Sequence, residues 1–228
     1  MMFQSEQISI LVVTAVLFFA FWYISKEIKS LQNDETPSRL TAAAISYVEW
    51  INNYTVNTMG DYYGPKFSAY IGSIFIYLLV SNISGLFGLP APTGNFSVTL
   101  VFAVITWLSI QGVKLKENGV KGYFQSLLEP FSFFLIPNIF SEIAPLISLP
   151  LRIFGNIIAG SVIMSLLYTF TGWLSGFVPL IGNFNFIGVI VAPVLHLYFD
   201  LFAGFLQAFL FISLSLILIG VEIPQEKL

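Results

Sequence analysis

The chain has 228 residues, of which 57% are hydrophobic and only 9% charged. A soluble domain carries about a quarter charged residues, so the composition excludes a water-exposed globule and describes a polytopic membrane protein. A net charge of −3 without a basic cluster argues against nucleic acid as a partner, and the absence of cysteine excludes disulfides and thiolate metal sites.

Residues 8–24 form the first apolar run. Glu6 stands where a cleaved signal carries its basic segment, no small-residue cleavage site follows, and Lys26 and Lys29 come next. The run is therefore expected to stay as a membrane helix, with Trp22 and Tyr23 at one interface. Residues 26–57 are polar and mixed, and Pro37-Ser38 is a helix start. Leu40, Ala43, Ala44, Tyr47, Val48 and Ile51 then follow a helical period, which predicts an interfacial amphipathic helix, with a plain loop helix as the alternative. Residues 67–86 are the second span, 88–95 with Pro90 and Pro92 a tight turn, 96–113 the third span, and 114–122 a basic, glycine-containing loop.

Two longer apolar stretches follow, 130–171 and 186–221. About 20 helical residues cross a hydrocarbon core about 30 Å thick, so neither stretch fits one upright helix. Each must tilt strongly, lie partly along the membrane, or break, for which Pro137, Pro145, Pro150 and Pro193 are available. Joined at 172–185, they make a hairpin. The expected fold is an all-α polytopic membrane protein of about five to six helices. It comprises three N-terminal spans, an interfacial amphipathic helix and a C-terminal hairpin of two long, strongly tilted helices. The chain reads as one membrane domain, 1–228, with N-terminal spans and loops over 1–129 and the hairpin over 130–228. With the N-terminus outside, Lys26, Lys29, Arg39, Lys66, Lys114, Lys116, Lys121 and Lys227 all fall on inner segments, while 88–95 and 171–185 hold neither Lys nor Arg. The positive-inside rule thus predicts an outer N-terminus and an inner C-terminus.

From Phe131 to Val221 the only Asp, Glu, His, Lys or Arg residues are Glu142, Arg152, His196 and Asp200. A guanidinium cannot shed its charge, and placing it mid-bilayer costs roughly 2.5–3.5 kcal/mol on insertion scales. Ser148, Arg152 and Asn156 share a helical face, and Gly155, Ala159 and Gly160 beside it keep the surface shallow. Without the arginine, the small residues read equally well as a packing seam. His196, Asp200, Ala203 and Gln207 make a second polar stripe, flanked by the small Gly204 and Ala208. A carboxylate in apolar surroundings can take up and release protons, which is the favoured reading of Asp200, with a structural ion pair to Arg152 as the alternative. His196 reads equally as a ring satisfied by a backbone carbonyl, and Glu142 as a snorkelling side chain at the inner interface. Arg152 cannot relay protons, so its role is to hold or displace a negative charge. The candidates are Asp200, Glu142 and a carboxylate of another subunit. An intramembrane enzyme is disfavoured, since there is no His-Glu-x-x-His pair, aspartyl dyad or Ser/His nucleophile arrangement. A stand-alone secondary transporter would show an inverted repeat with interrupted helices in matching halves, which this sequence lacks.

Ser148-Leu-Pro-Leu-Arg-Ile-Phe-Gly-Asn156, followed by Ala159-Gly160, resembles the signature of subunit a of the F-type ATP synthase. Further matches are Asn82 in Leu-Val-Ser-Asn-Ile-Ser-Gly-Leu, Pro92-Thr93, Val98-Thr99 and Gln207-Ala208-Phe209. Gly119-Val-Lys-Gly-Tyr and Glu142, ten residues before the arginine, are similar to the Gram-positive form. The resemblance implies a stationary proton-translocating subunit, not an enzyme by itself, that gives a rotating ring's carboxylates two offset half-channels. On it, Arg152 matches the residue separating the channels, Asn156 and Gln207 its polar neighbours, and Asp200 a position of the outer half-channel. Ser161 stands where some members carry an acidic residue or His, which leaves Asp200, with His196, more of the outer path. Gly155, Ala159 and Gly160 would face the ring, and Glu142 would serve proton uptake. The implied partners are the c-ring, the b subunit stalk and the lipid bilayer of a bacterial plasma membrane, with H+ as the ion and Na+ as the alternative. No cofactor or metal is implied.

Overall fold

In hydrocarbon every backbone amide must find its partner within its own segment, and a helix is the open-ended structure that achieves this. The computed structural model describes residues 5–30, 36–177 and 184–227, and these are helical almost throughout, with no strand among them. Five of the helices are long and apolar enough to cross a membrane.

Helix α1 (Ser5–Ser30) ends on the start of α2 (Arg39–Ile83). The first turn of a helix has amides without intrahelical partners. Ser38 Oγ accepts from the Thr41 amide at 3.3 Å, and the Glu27 carboxylate of α1 accepts from the Ser38 amide at 2.8 Å and from Thr41 Oγ1 at 2.7 Å. An anion from one helix thus supports the N-terminus of the next.

The amphipathic segment and the second span are two helices joined directly, without an intervening loop. They are two arms, 39–59 and 61–83, of α2, which folds back at Gly60, whose φ of 75° and ψ of 173° suit glycine. Tyr47 Oη donates to the Gly72 carbonyl at 2.6 Å, the Tyr47 ring stacks on Phe75, and a Cβ at Gly64 would stand 2.5 Å from Val56 Cα. Pro65 lies just past the first turn of the second arm, where it removes one helical amide donor. The buried stripe of the first arm is Thr41, Ile51, Thr55 and Met59, whereas Leu40 and Val48 are exposed. The arm is rotated because it packs on two neighbours, its own second arm and, through Tyr54 against Ser213 and Phe209, the last helix.

Two short 3-10 turns, Ser84–Phe87 and Pro92–Gly94, lead to α3 (Phe96–Ser126), whose amides are capped by Asn95. Within the expected loop at 114–122 the chain reverses at Gly119, with φ 66° and ψ 170°, and the residues on either side of it are helical. Its charges do not require a loop, since Lys114 is buried against carboxylates.

The C-terminal half comprises α4 (Leu135–Ser175), α5 (Phe186–His196), a π-helical segment (Leu197–Ala203) and α6 (Gly204–Gly220). The prolines do not break these stretches. Pro137 lies in the first turn of α4, Pro145 and Pro150 lie within it, and Pro193 within α5. The irregularity appears a turn after Pro193, as the widened π segment. Much of the expected joint lies outside the described residues, at 178–183. Its far side is defined by Asn185, which accepts from the Gly188 amide at 2.9 Å and donates to the Tyr168 carbonyl at 3.1 Å. One side chain thereby caps α5 and ties it to α4. The core sits between α2, α3 and α6, around Ile71, Leu78, Ala103, Phe211, Ile212, Leu216 and Ile219.

Candidate functional site

At the end of α2, Asn82 reaches the junction of the π segment with α6. Its Nδ2 donates to the Gly204 carbonyl at 2.9 Å, and its Oδ1 accepts from Thr93 Oγ1 at 2.8 Å. Glycine is required at 204, because a Cβ there would lie 2.8 Å from Asn82 Cβ. This anchor sets the π segment against the turn at Ser84–Phe87, so that the Asp200 carboxylate lies against Gly85, 3.3 Å from where a Cβ would stand.

Asp200 Oδ2 is hydrogen-bonded to His196 Nδ1 at 2.7 Å, and His196 Nε2 to Tyr168 Oη at 3.0 Å. These groups line a cleft of about 410 Å³ between α4 and the π segment. Asn156, Ser161, Ser165 and Asn82 line it as well. The structure therefore brings together Asn156, Ser161, His196 and Asp200. It adds Tyr168 and Ser165, which sequence reasoning had missed. Their signal was a helical one, since Ser161, Ser165 and Tyr168 follow Asn156 at intervals of five, four and three.

Arg152 lies one turn before Asn156 and is exposed. Among the described residues it has neither an ion-pair nor a hydrogen-bond partner, so the alternative in which Asp200 neutralises it is not realised. The small residues beside it divide. Gly155 has nothing within 4 Å of an added Cβ and Ala159 is exposed, but Gly160 is buried, and a Cβ added there would stand 3.4 Å from the Phe199 ring. Smallness at 160 serves contact with this chain's own π segment. Gln207 is half-buried, and its Oε1 is buried without a hydrogen-bond partner among the described residues.

Glu142 is not in the cleft. Its carboxylate pairs with Lys114 and accepts from Gln111 Nε2 at 2.8 Å, and its backbone carbonyl accepts from Trp107 Nε1 at 2.7 Å. Lys114 Nζ also stands 3.7 Å from Glu222, and Tyr123 Oη donates to Gln111 Oε1 at 2.8 Å. Burial pushes the Glu222 carboxyl up, partly countered by the Lys114 charge. The lysine was missed because its segment read as a solvated loop.

A helical bundle with five membrane-length helices, an arginine on its outer face and, one turn away, a polar cleft holding Asp200 is an all-α polytopic membrane protein. The chain belongs to the family described as ATP synthase A chain, whose profile matches residues 7–220. It is 32% identical over 224 residues to ATP synthase subunit a of Mycoplasma genitalium, covering 91% of this chain and 75% of the relative. Subunit a of Chlorobium phaeobacteroides is 32% identical over 219 residues, covering 92% of this chain and 63% of that one. The Propionigenium modestum protein named ATP synthase subunit a, sodium ion specific, is 29% identical over 201 residues, covering 80% of this chain and 64% of that one. The chain thus spans just under two thirds of the length of the last two relatives.

Proposed function

We propose that this chain is the stationary ion-translocating subunit of a rotary F-type ATP synthase. The observation that carries the reading is Arg152, a permanently charged guanidinium on the outer face, without an anion partner among the described residues, beside the open backbone of Gly155 and Ala159. Such a surface suits a carboxylate presented by a closely approaching helix, here a subunit of the c-ring.

The cleft lined by Asn156, Ser161, His196 and Asp200 serves as the outer half-channel, with Gln207 as a polar neighbour of the ring site. Glu142, at the other end of α4, serves the inner one. A proton delivered through one half-channel neutralises a ring carboxylate, which can then turn into lipid. A carboxylate returning charged is held by Arg152, which favours proton release and blocks a direct leak between the channels. The subunit performs no chemistry on ATP. The b subunit stalk holds it still in a bacterial plasma membrane, with the N-terminus outside and the C-terminus in the cytoplasm. The gathering of Lys66 and Lys116 around Tyr62, at the end of the bundle that also holds Glu117 with Lys227, supports this orientation.

The decisive experiment is Arg152→Ala in the reconstituted complex. Coupled ion transport should be lost, and retained coupling would sink the proposal. Asp200→Ala should slow ATP-driven pumping, and a wild-type rate would remove Asp200 from the path. The sodium-specific relative keeps Na+ as a second reading, which predicts that ATP hydrolysis by the complex requires Na+ at neutral pH.

A further inference from the structure

The second arm of α2 and the helix α3 run antiparallel, since Tyr62 meets Lys116, Tyr70 Oη meets Thr106 Oγ1 at 2.7 Å, and Tyr77 meets Phe102. Lys66, Tyr70, Ser73 and Tyr77 follow one another at intervals of four, three and four, and so share one face of α2. Val98, Val101, Ile105, Ser109, Gly112 and Lys116 do the same on α3, at three, four, four, three and four. Between these faces lies a largely apolar cavity of about 500 Å³, lined by Tyr70 to Tyr77 of α2 and Val98 to Ile105 of α3, with Ile10 of α1 at one edge. Val101 and Ile105 are exposed, and a Cβ added at Gly112 would meet nothing within 4 Å. The cavity is therefore open on its outer side and continues as a groove to Lys116.

At that end the two lysines converge. Lys66 Nζ stands 3.0 Å from the centre of the exposed Tyr62 ring, and Lys116 Nζ stands 5.3 Å from it and 5.1 Å from the Tyr63 ring. Neither Asp61 nor any other carboxylate among the described residues pairs with them. Glu117, next to Lys116 in the chain, is engaged by Lys227 and by the Tyr63 hydroxyl.

We propose that this groove binds an anionic phospholipid from the leaflet at that end, with its phosphate on Lys66 and Lys116 and one acyl chain along the cavity. The site requires only a chain that spans a membrane, whatever ion it moves. Each ammonium offers three N–H donors and no acceptor, which suits phosphate oxygens, and basic pockets between membrane helices hold acidic headgroups. A zwitterionic headgroup would bring its own ammonium against the pair and is disfavoured. The Tyr62 ring, apolar in body and polar at its tip, fits the level where headgroup and chain meet. From Lys66 to Tyr77 is about 16 Å along the helix, close to half of a hydrocarbon core about 30 Å thick. The cavity thus lies where a chain from that one leaflet runs.

The test uses the whole complex in vesicles of phosphatidylcholine carrying a small fraction of phosphatidylglycerol with a photoreactive acyl chain. Label should fall on residues 66–77 and 98–112, and unlabelled phosphatidylglycerol should displace it where added phosphatidylcholine does not. Lys66→Gln combined with Lys116→Gln should lower the preference for phosphatidylglycerol over phosphatidylcholine about thirtyfold, the loss expected for two lysines near an anionic surface. Gly112→Phe keeps both charges and should cut the labelling by filling the groove. An unchanged preference in the double variant overturns the proposal. So does label confined to a neighbouring subunit, the result for a groove covered by another protein's helix. Displacement by inorganic phosphate alone would assign the lysines to a free anion and overturn it as well. If the double variant fails to assemble, Gly112→Phe decides, and undiminished labelling there overturns the lipid site.

Discussion

Asn82 holds two elements with one amide, donating to the Gly204 carbonyl and accepting from Thr93, in a place where neither partner meets water. An unsatisfied buried polar group costs about 1–3 kcal/mol, so Asn82→Ala should destabilise the chain by roughly that amount for each group left alone. Asn82→Asp keeps the acceptor for Thr93 and loses the donor to Gly204, so its melting temperature in detergent should fall between the two. Equal melting temperatures for all three would show that the anchor contributes nothing. Gly204→Ala should be as harmful by the opposite route, since its methyl group would press on Asn82 Cβ. Much of the site was legible at this scale. Arg152, Asp200, His196 and Glu142 are rare ionisable groups in an apolar stretch, and that rarity alone marks them. Tyr168 was not legible, because a tyrosine among apolar residues has no distinctive signal until the pairing of α4 with α5 brings its hydroxyl to His196. Gly160 was misassigned for the same reason, since its neighbour Phe199 lies on another helix.

The helices themselves were legible from apolar periodicity, but where a helix turns back on itself was not. A period of 3.6 residues describes each arm of α2 equally well whether the helix continues straight or folds at Gly60. What carried the information was local, a glycine closely followed by Asp61 and Pro65, and it was outweighed by the polar composition of the first arm. The fold-back is open to a direct test, helped by the absence of native cysteine. Ile51 Cγ2 lies 3.4 Å from where a Cβ at Gly72 would stand, so the pair Ile51→Cys and Gly72→Cys should form a disulfide under mild oxidation. In an unbroken helix the two positions would be about 31 Å apart and no bond could form. Gly60→Ala should then lower both the cross-linking yield and the stability, the latter by about 1–3 kcal/mol, because alanine is strained at this φ and ψ.

Charges join the helices at one end of the molecule. Lys114 of α3 pairs with Glu142 of α4 and approaches Glu222 beyond α6, while Glu117 of α3 binds Lys227 of the C-terminal tail and Tyr63 of α2. Ion pairs thus tie α3 to α4 and to the C-terminal segment, and a hydrogen bond ties it to α2, where composition alone suggested separate loops. Removing one partner of a buried pair typically costs about 3–5 kcal/mol because the other charge is stranded, so Lys114→Met should destabilise strongly. Lys114→Met combined with Glu142→Gln should recover part of that loss, and strict additivity of the two would mean that they do not interact. Glu222 adds a pH dependence of definite sign. Burial raises its carboxyl above the ordinary value, so the folded chain binds this proton more tightly than the unfolded chain does. Its contribution to stability is fully present below the unfolded pKa and is lost as pH rises through the folded one. Glu222→Gln, which cannot ionise, should therefore gain melting temperature relative to wild type as the pH rises above the ordinary carboxylate value. If the wild-type and variant curves ran parallel above that value, the Glu222 proton would be bound no more tightly in the folded chain than in the unfolded one. The Lys114 charge would then offset the whole cost of burying the Glu222 carboxylate, and the network would carry two charged carboxylates against one lysine.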